Sequence, residues 1–245
     1  MKLSVIIPAH NEEDCIEKTV LDISEELKKE SIDNEIIIVN DNSTDRTVSI
    51  INNLAQEYND IRLINRQSPN GFGRAVREGL DNATGDVIII AMGDASDDPR
   101  DIVKYFYKIE EGYDCVFGSR FIKGAMTRDY PFHKLIVNRI ANTFLRILFL
   151  TKHNDLTNAF KAYRREVIDA IKPIESLYFN ITIELPLKAL IRGYSIASMP
   201  TNWYGRKSGV SKLKIKEMGR RYLYTTLYLW LQKTLIRDDI RDKRK

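Results

Sequence analysis

Three carboxylates and a hydroxyl stand within one short stretch, at Asp94, Ser96, Asp97 and Asp98. Oxygen donors packed this closely suit a hard divalent cation such as Mg2+ or Mn2+. A cation held there can bridge a diphosphate and stabilise it as a leaving group. The candidate ligands are Asp94, Ser96 and Asp97. The competing use is structural, since Asp97 or Asp98 can cap a helix that begins near Pro99. A further carboxylate, Asp41, follows an apolar run and is surrounded by Asn40, Asn42, Ser43 and Asp45. It can cap the next helix or accept an N–H from a nucleotide base. Gly71-Phe72-Gly73-Arg74 precedes an amphipathic stretch, where a glycine turn lets backbone approach a phosphate or base; a plain turn has the same composition. The first apolar run leads into Pro8-Ala9-His10-Asn11-Glu12, not GxGxxG, and GxxxxGK[ST] does not occur, so neither a dinucleotide fingerprint nor a P-loop is present. His10, His133 and His153 are scattered without metal-ligand spacing and read as structural.

These residues need elements to hold them. Apolar runs at 3–9, 35–41, 62–66, 86–92 and 114–120 read as strands. Amphipathic stretches at 12–29 (with Asn11 as N-cap), 43–58, 73–82 and 102–110 read as helices between them. Strands alternating with helices of this length indicate an α/β fold with a parallel, doubly wound sheet, and continuous Ile/Val runs fit strands covered on both faces. Ligands of such sheets bind beyond the carboxyl ends of the strands. That rule selects Pro8–Glu12, Asn40–Asp45, Gly93–Pro99 and Gly118–Arg120. The second half reads as a helix at 134–150, a strand at 159–163, helices at 165–171 and 181–192, a strand over 195–205 that runs into a loop, and a helix at 215–236.

Composition narrows the setting. With 43% hydrophobic residues and mixed charge, the 245-residue chain is not disordered. Two cysteines, Cys15 and Cys115, cannot frame a disulfide scaffold and point to a cytosolic or cytosol-facing protein. The opening run, interrupted by Pro8, reads as a strand and not as a signal peptide. No stretch reaches the roughly 18–20 uncharged apolar residues of a membrane span. The net charge of +4 is uneven: residues 201–245 hold 13 Lys+Arg against 4 Asp+Glu, and residues 1–200 hold 25 against 30. A basic end on a mildly acidic body suits an anionic surface or a phosphorylated ligand.

Taken together, SVIIPAHNEE, IIIVNDNSTDRT, NGFGRAVREGL and ATGDVIIIAMGDASDDP resemble the motifs of the family 2 nucleotide-sugar glycosyltransferases, which have the GT-A fold. GSRF, DLTNAFKAYRREV and the stretch Arg206 to Leu213 resemble motifs of the branch that acts on polyprenyl phosphates, the dolichol-phosphate mannose synthases among them. The resemblance runs from about residue 3 to residue 215. It implies a mostly parallel sheet with flanking helices and a metal-dependent, inverting transfer from a GDP- or UDP-sugar to a polyprenyl phosphate. Pro8, Glu12 and Asp41 then hold base and ribose, Gly71 lies against the nucleotide, and His10 and Arg74 belong to the same donor site. Asp94 meets the metal and diphosphate. Arg120, Lys134, Asn138, Arg206 and Lys212 hold the acceptor phosphate, and Asp94, Arg120 and Glu184 form the catalytic set. A phosphate acceptor needs fixed cations and, being anionic already, little help from a base. Glu184 would matter as a base only for a hydroxyl acceptor.

The sequence departs from the family pattern at Asn40, where a carboxylate is usual, at Gly93-Asp94-Ala95-Ser96-Asp97 in place of Asp-x-Asp, at Lys134 for Arg and at Asn138 for Ser. The alternatives are a hydroxyl acceptor on a glycan or glycolipid, or a catalytically silent nucleotide-sugar module. A polyprenyl phosphate lives in a membrane. The 134–150 helix has the polar and apolar faces of an interfacial helix, and YLYTTLYLWL at 222–231 carries Tyr and Trp suited to headgroup depth. The expected organisation is a GT-A domain over 1–212 and a basic, aromatic helical extension over 213–245. The expected setting is peripheral, on the cytoplasmic face of a membrane. The partners are the nucleotide sugar, the lipid phosphate, the bilayer surface and, because one amphipathic helix anchors only reversibly, room for a membrane-protein partner; no nucleic acid is expected.

Overall fold

The computed structural model describes residues 1–205 and 215–236. In chain order the elements are β1 (Leu3–Ala9), α1 (Ile16–Lys29), β2 (Asn34–Asn40), α2 (Thr47–Glu57), β3 (Ile61–Asn65), α3 (Phe72–Asn82), β4 (Val87–Ile90), α4 (Pro99–Glu110), β5 (Cys115–Ser119), β6 (Thr127–Arg128), α5 (Phe132–Phe149), β7 (Lys161–Arg164), α6 (Arg165–Ala170), α7 (Ile181–Arg192), β8 (Ile196–Pro200), β9 (Trp203–Tyr204) and α8 (Ile215–Leu235). Seven strands form one sheet in the order β3-β2-β1-β4-β7-β5-β8, and β6 pairs with β9 in a small second sheet. The pairings in the large sheet are parallel except at β7, which runs antiparallel to both β4 and β5. The expected α/β class and mostly parallel sheet are therefore what the chain adopts.

Successive side chains of a strand point to opposite faces. The Ile/Val runs thus divide between two cores. Ile6, Ile37, Val39, Ile88 and Ile90 face α3, α6, α7 and α8. Val5, Ile7, Ile36, Ile38, Val87 and Ile89 face α1, α2 and α4. Burying such strands on both sides supplies the main stabilisation.

Two helix starts differ from the sequence reading for one reason. Asn11 does not cap α1. Its backbone has φ 51°, its N–H donates to Ser43 Oγ at 3.0 Å, and its Oδ1 accepts the Thr44 N–H at 2.7 Å. The Glu12 N–H donates to Thr47 Oγ1 at 2.9 Å and the Glu13 N–H to Asp45 Oδ2 at 3.2 Å. The loops after β1 and β2 are zipped together, which delays α1 to Ile16 and α2 to Thr47. In the other direction α4 begins three residues earlier than expected. Asp98 accepts the Arg100 N–H at 3.1 Å and Pro99 occupies the first turn, an arrangement that preorganises a helix start.

Candidate active site

The carboxyl ends of β1, β2 and β4 converge beside the loop 93–98. Asp41, directly after β2, is buried. It caps no helix. Its Oδ2 accepts the Gly71 N–H at 2.7 Å and its Oδ1 pairs with Arg66. The His10 ring contacts the Asp41 carbonyl through Nδ1 at 2.7 Å. Pro8, His10, Glu12, Asp41, Gly71 and Arg74 thus stand at the ends of β1 and β2 and at the start of α3. Arg66, which sequence reasoning missed, neutralises Asp41; it closes the short strand β3 at a distance no local pattern reports.

The glycines of the turn meet a distant stretch of the chain. A Cβ on Gly71 would lie 2.4 Å from the Leu177 carbonyl, and one on Gly73 would lie 2.5 Å from the Ser176 carbonyl and 2.7 Å from Tyr178 N. Both admit the backbone of the 176–178 segment, which packs against them. Close approach of the chain to itself calls for glycine at both positions. Arg74 lies over the Tyr178 ring at 5.5 Å, with Phe72 stacked on Phe179 at 4.4 Å.

In the carboxylate loop, the Ser96 N–H donates to Asp94 Oδ1 at 3.2 Å, with Ala95 between them in the left-handed region at φ 56°. A non-glycine residue held there costs energy that the surrounding contacts must supply. Asp97 Oδ2 accepts the Met92 N–H at 3.0 Å, standing in for a strand partner where β4 has ended. Burial, reinforced by the neighbouring charge of Asp94, pushes the Asp97 carboxyl up to about 7. Asp98 is committed elsewhere: Arg100 and Asn202 hold it, at 2.6 and 3.1 Å, and Arg100 keeps its carboxyl down at about 2. Among the described residues no cluster of three or more His, Cys, Asp and Glu is spaced to hold a metal. A Mg2+ or Mn2+ ion here would be held by one or two carboxylates plus a hydroxyl, with the remaining positions open to water or ligand oxygens. That ligand mix is usual for such cations.

The other side of the site is built around the loop 153–158. Arg120 donates through Nε and Nη2 to Asp155, both at 2.8 Å, and its backbone N–H reaches the same carboxylate at 3.1 Å. Burial works against the guanidinium charge, but Asp155 outweighs it and keeps Arg120 ionised. Asn138 and Asn142 of α5 each donate to Thr157 Oγ1 at 2.9 Å, Asn142 Oδ1 accepts the Leu156 N–H at 2.7 Å, and Arg139 donates to the Asn154 carbonyl at 3.1 Å. Buried Lys161 donates to the carbonyls of Leu156, at 3.0 Å, and Asn158. Burial lowers its amine to about 7. Asp155 and Lys161 were not singled out from the sequence; both lie in the quoted stretch DLTNAFKAYRREV, whose buried polar letters between apolar ones were the available signal. Lys134 sits on α5 one turn before Asn138. Arg206 and Lys212 lie outside the described residues.

Glu184 is not placed as a base. Its carboxylate accepts the N–H groups of Glu175 at 2.8 Å and Ser176 at 2.7 Å and pairs with Lys188 at 2.7 Å. Burial pushes the carboxyl up, but the Lys188 charge and these hydrogen bonds bring it below the usual range. It holds the 175–176 turn, which leads into the 176–178 segment that Gly71 and Gly73 pack against. Beside it, between that turn and α8, lies a cavity of about 330 Å3 bounded by Tyr178, Asn180, Arg221, Tyr224 and Tyr228, away from Asp94.

Around the site, α5 and α8 expose apolar side chains. Phe132, Ile136, Ile140 and Ile147 do so on α5, with Ile140 at 65% and Ile147 at 69%; Leu223, Tyr224, Leu227 and Leu231 do so on α8. Lys233 of α8 donates to the Phe149 carbonyl at 2.6 Å, so the two helices meet at their carboxyl ends. No described helix is long and apolar enough to cross a membrane.

Comparison with known proteins gives this geometry a family. The dolichol-phosphate mannosyltransferase of Pyrococcus furiosus is 33% identical over 221 residues, covering 88% of this chain and 60% of that protein. The polyprenol monophosphomannose synthase of Mycolicibacterium smegmatis is 29% identical over 215 residues, covering 85% and 80%. The chain thus spans about three-fifths of the Pyrococcus relative. A glucosyl-3-phosphoglycerate synthase from Mycobacterium tuberculosis, solved with Mn2+, uridine diphosphate and glucosyl-3-phosphoglycerate, shares the fold with a TM-score of 0.70 at 21% identity, over 93% of this chain and 79% of that one. The family model for glycosyl transferase family 2 matches residues 4–172, and the chain belongs to that family.

Proposed function

We propose that this protein transfers a sugar from a nucleotide sugar to a polyprenyl phosphate, with inversion and with a divalent cation at Asp94. The observation that carries the reading is the loop 153–158, which ties Arg120, beside the carboxylate loop, to α5, whose far face is apolar and exposed. An enzyme joining a water-borne donor to a lipid-borne phosphate needs cationic groups next to an apolar surface; the candidates beside this one are Arg120, held by Asp155, and Lys134 of α5. The names of the Pyrococcus and Mycolicibacterium relatives support the acceptor class and suggest mannose as the sugar. In this reading the ends of β1 and β2 hold the nucleotide. The cation would be held by Asp94, with Ser96 and Asp97 nearby, and would neutralise the departing diphosphate. Arg120 and Lys134 orient the acceptor phosphate, whose own anionic oxygen attacks. The exposed stripes of α5 and α8 rest on the bilayer. Glu184, with both oxygens engaged by two amides and Lys188 and its basicity lowered by them, argues against a hydroxyl acceptor that relies on it as base.

The test is product formation from radiolabelled GDP- and UDP-sugars with a polyprenyl phosphate, with and without EDTA. An organic-extractable, EDTA-sensitive product is expected. Donor binding with transfer to glycan hydroxyls only would overturn the acceptor assignment.

A further inference from the structure

A ladder of rings and guanidinium groups crosses the site. Trp203 pairs through its backbone with Asp97, and its N–H donates to the Met126 carbonyl at 2.8 Å; the next N–H, of Tyr204, donates to the Ser96 carbonyl at 2.9 Å. Strand β9 is thereby fastened to the carboxylate loop on one side and to β6 on the other. Tyr130 lies 4.8 Å from Trp203, Arg120 sits 5.5 Å over Tyr130 and 5.5 Å over Phe121, and Arg139 of α5 sits 4.4 Å over Phe121. Trp203, Tyr130 and Phe121 are only partly buried. Two residues beyond Tyr130 the chain reaches Phe132, 74% exposed, where the apolar stripe of α5 begins.

The partly exposed faces of these rings offer apolar surface beside a charged site. These rings stand between a carboxylate loop and a buried arginine, and they continue into an apolar helix face. On the reading of the acceptor given above, we propose that Trp203 and Tyr130 form the platform for the first isoprene units of the lipid, next to its phosphate. They then determine specificity for a branched prenyl chain. A prenyl unit presents methyl branches and a flat alkene to the ring faces, whereas a linear alkyl chain of equal length covers them less completely. The backbone of Trp203 secures the carboxylate loop whatever its side chain is, so the side chain can be changed without releasing Asp97.

The experiment compares kcat/KM for farnesyl phosphate and dodecyl phosphate in the full chain and in Trp203→Ala and Tyr130→Ala, with donor KM measured alongside. The full chain should prefer farnesyl phosphate by roughly tenfold or more, the scale at which apolar pockets discriminate. Each alanine variant should bring that ratio towards one with donor KM changed less than twofold, and Trp203→Phe should keep most of it. If an alanine variant does not fold, Trp203→Leu, which keeps apolar bulk but no ring, should lower the ratio in the same sense. An unchanged ratio in folded variants, or a change confined to donor KM, overturns the platform. A full chain that binds donor but transfers to neither lipid would instead overturn the acceptor class itself.

Discussion

The two edges of this site are built on different plans. The proposed donor edge, at the ends of β1, β2 and the start of α3, is close-packed and joins backbone N–H groups to side-chain oxygens. Asp41 holds a glycine N–H, the loops 11–13 and 43–47 zip together, and the 176–178 segment fills the space two glycines leave. The proposed acceptor edge is assembled from side chains distant in sequence: Arg120 on Asp155, Asn138 and Asn142 on Thr157, Lys161 on two carbonyls, and rings spanning residues 121 to 203. Its outer surface is apolar and open. A close-packed edge suits a ligand of fixed shape. A side-chain scaffold with an apolar exterior suits one that arrives from another phase.

The largest effect is expected between the edges. Asp94→Asn should reduce turnover roughly a thousandfold, the scale of removing one electrostatic contact to a developing charge, with little change in thermal stability. Retained activity in steady-state assays would remove the metal from the account. On the donor edge, Gly73→Ala should cost about 2 kcal/mol of stability through overpacking, although alanine in a helix ordinarily gains roughly 1 kcal/mol over glycine. A chemical denaturation curve without that loss would mean that the 176–178 segment yields.

On the acceptor edge, His153 contacts Ser198 Oγ at 2.7 Å and Phe117 edge-on, and burial lowers its pKa from 6.5 to about 4. Between those values the unfolded chain binds a proton that the folded chain does not, so stability falls as pH drops from 6.5 to about 4. The full shift corresponds to about 3 kcal/mol, and solvent screening brings this to about 1–2 kcal/mol. His153→Gln should flatten that limb of a stability-versus-pH curve; an unchanged slope would place the titration elsewhere. The smallest change in folding belongs to the outer surface. Ile140→Glu with Ile147→Glu should leave stability within about 0.5 kcal/mol yet abolish flotation with anionic vesicles. Undiminished flotation would take α5 off the bilayer.

The same contrast explains what was legible in the sequence. The sheet could be read because Ile and Val runs covered on both faces leave few alternatives, and its ends follow from the rule that ligands gather at the carboxyl edge. Helix 181–192 was read to the residue. The antiparallel β7 was not foreseen, because orientation depends on the path of the connection and not on the strand's own residues. Asn11 looked like a cap because its local neighbours permit one; its partners, Ser43 and Thr44, lie 32 and 33 residues away. The donor motifs were visible as contiguous strings. Arg66, Asp155, Lys161, Tyr130 and Trp203 gain meaning only through partners brought together by folding. In the sequence Glu184 is one carboxylate among many, and only its bonds to two amides and Lys188 show that it positions a turn.

The most direct test of the two-edge account measures KM for donor and for acceptor separately in Asp41→Asn and Asp155→Asn, with folding confirmed for each. Asp41→Asn is predicted to raise donor KM and leave acceptor KM near the parent value. Asp155→Asn, which removes the partner of Arg120, is predicted to do the reverse. If both substitutions move the same constant, the division of the site into a nucleotide edge and a lipid-phosphate edge is wrong.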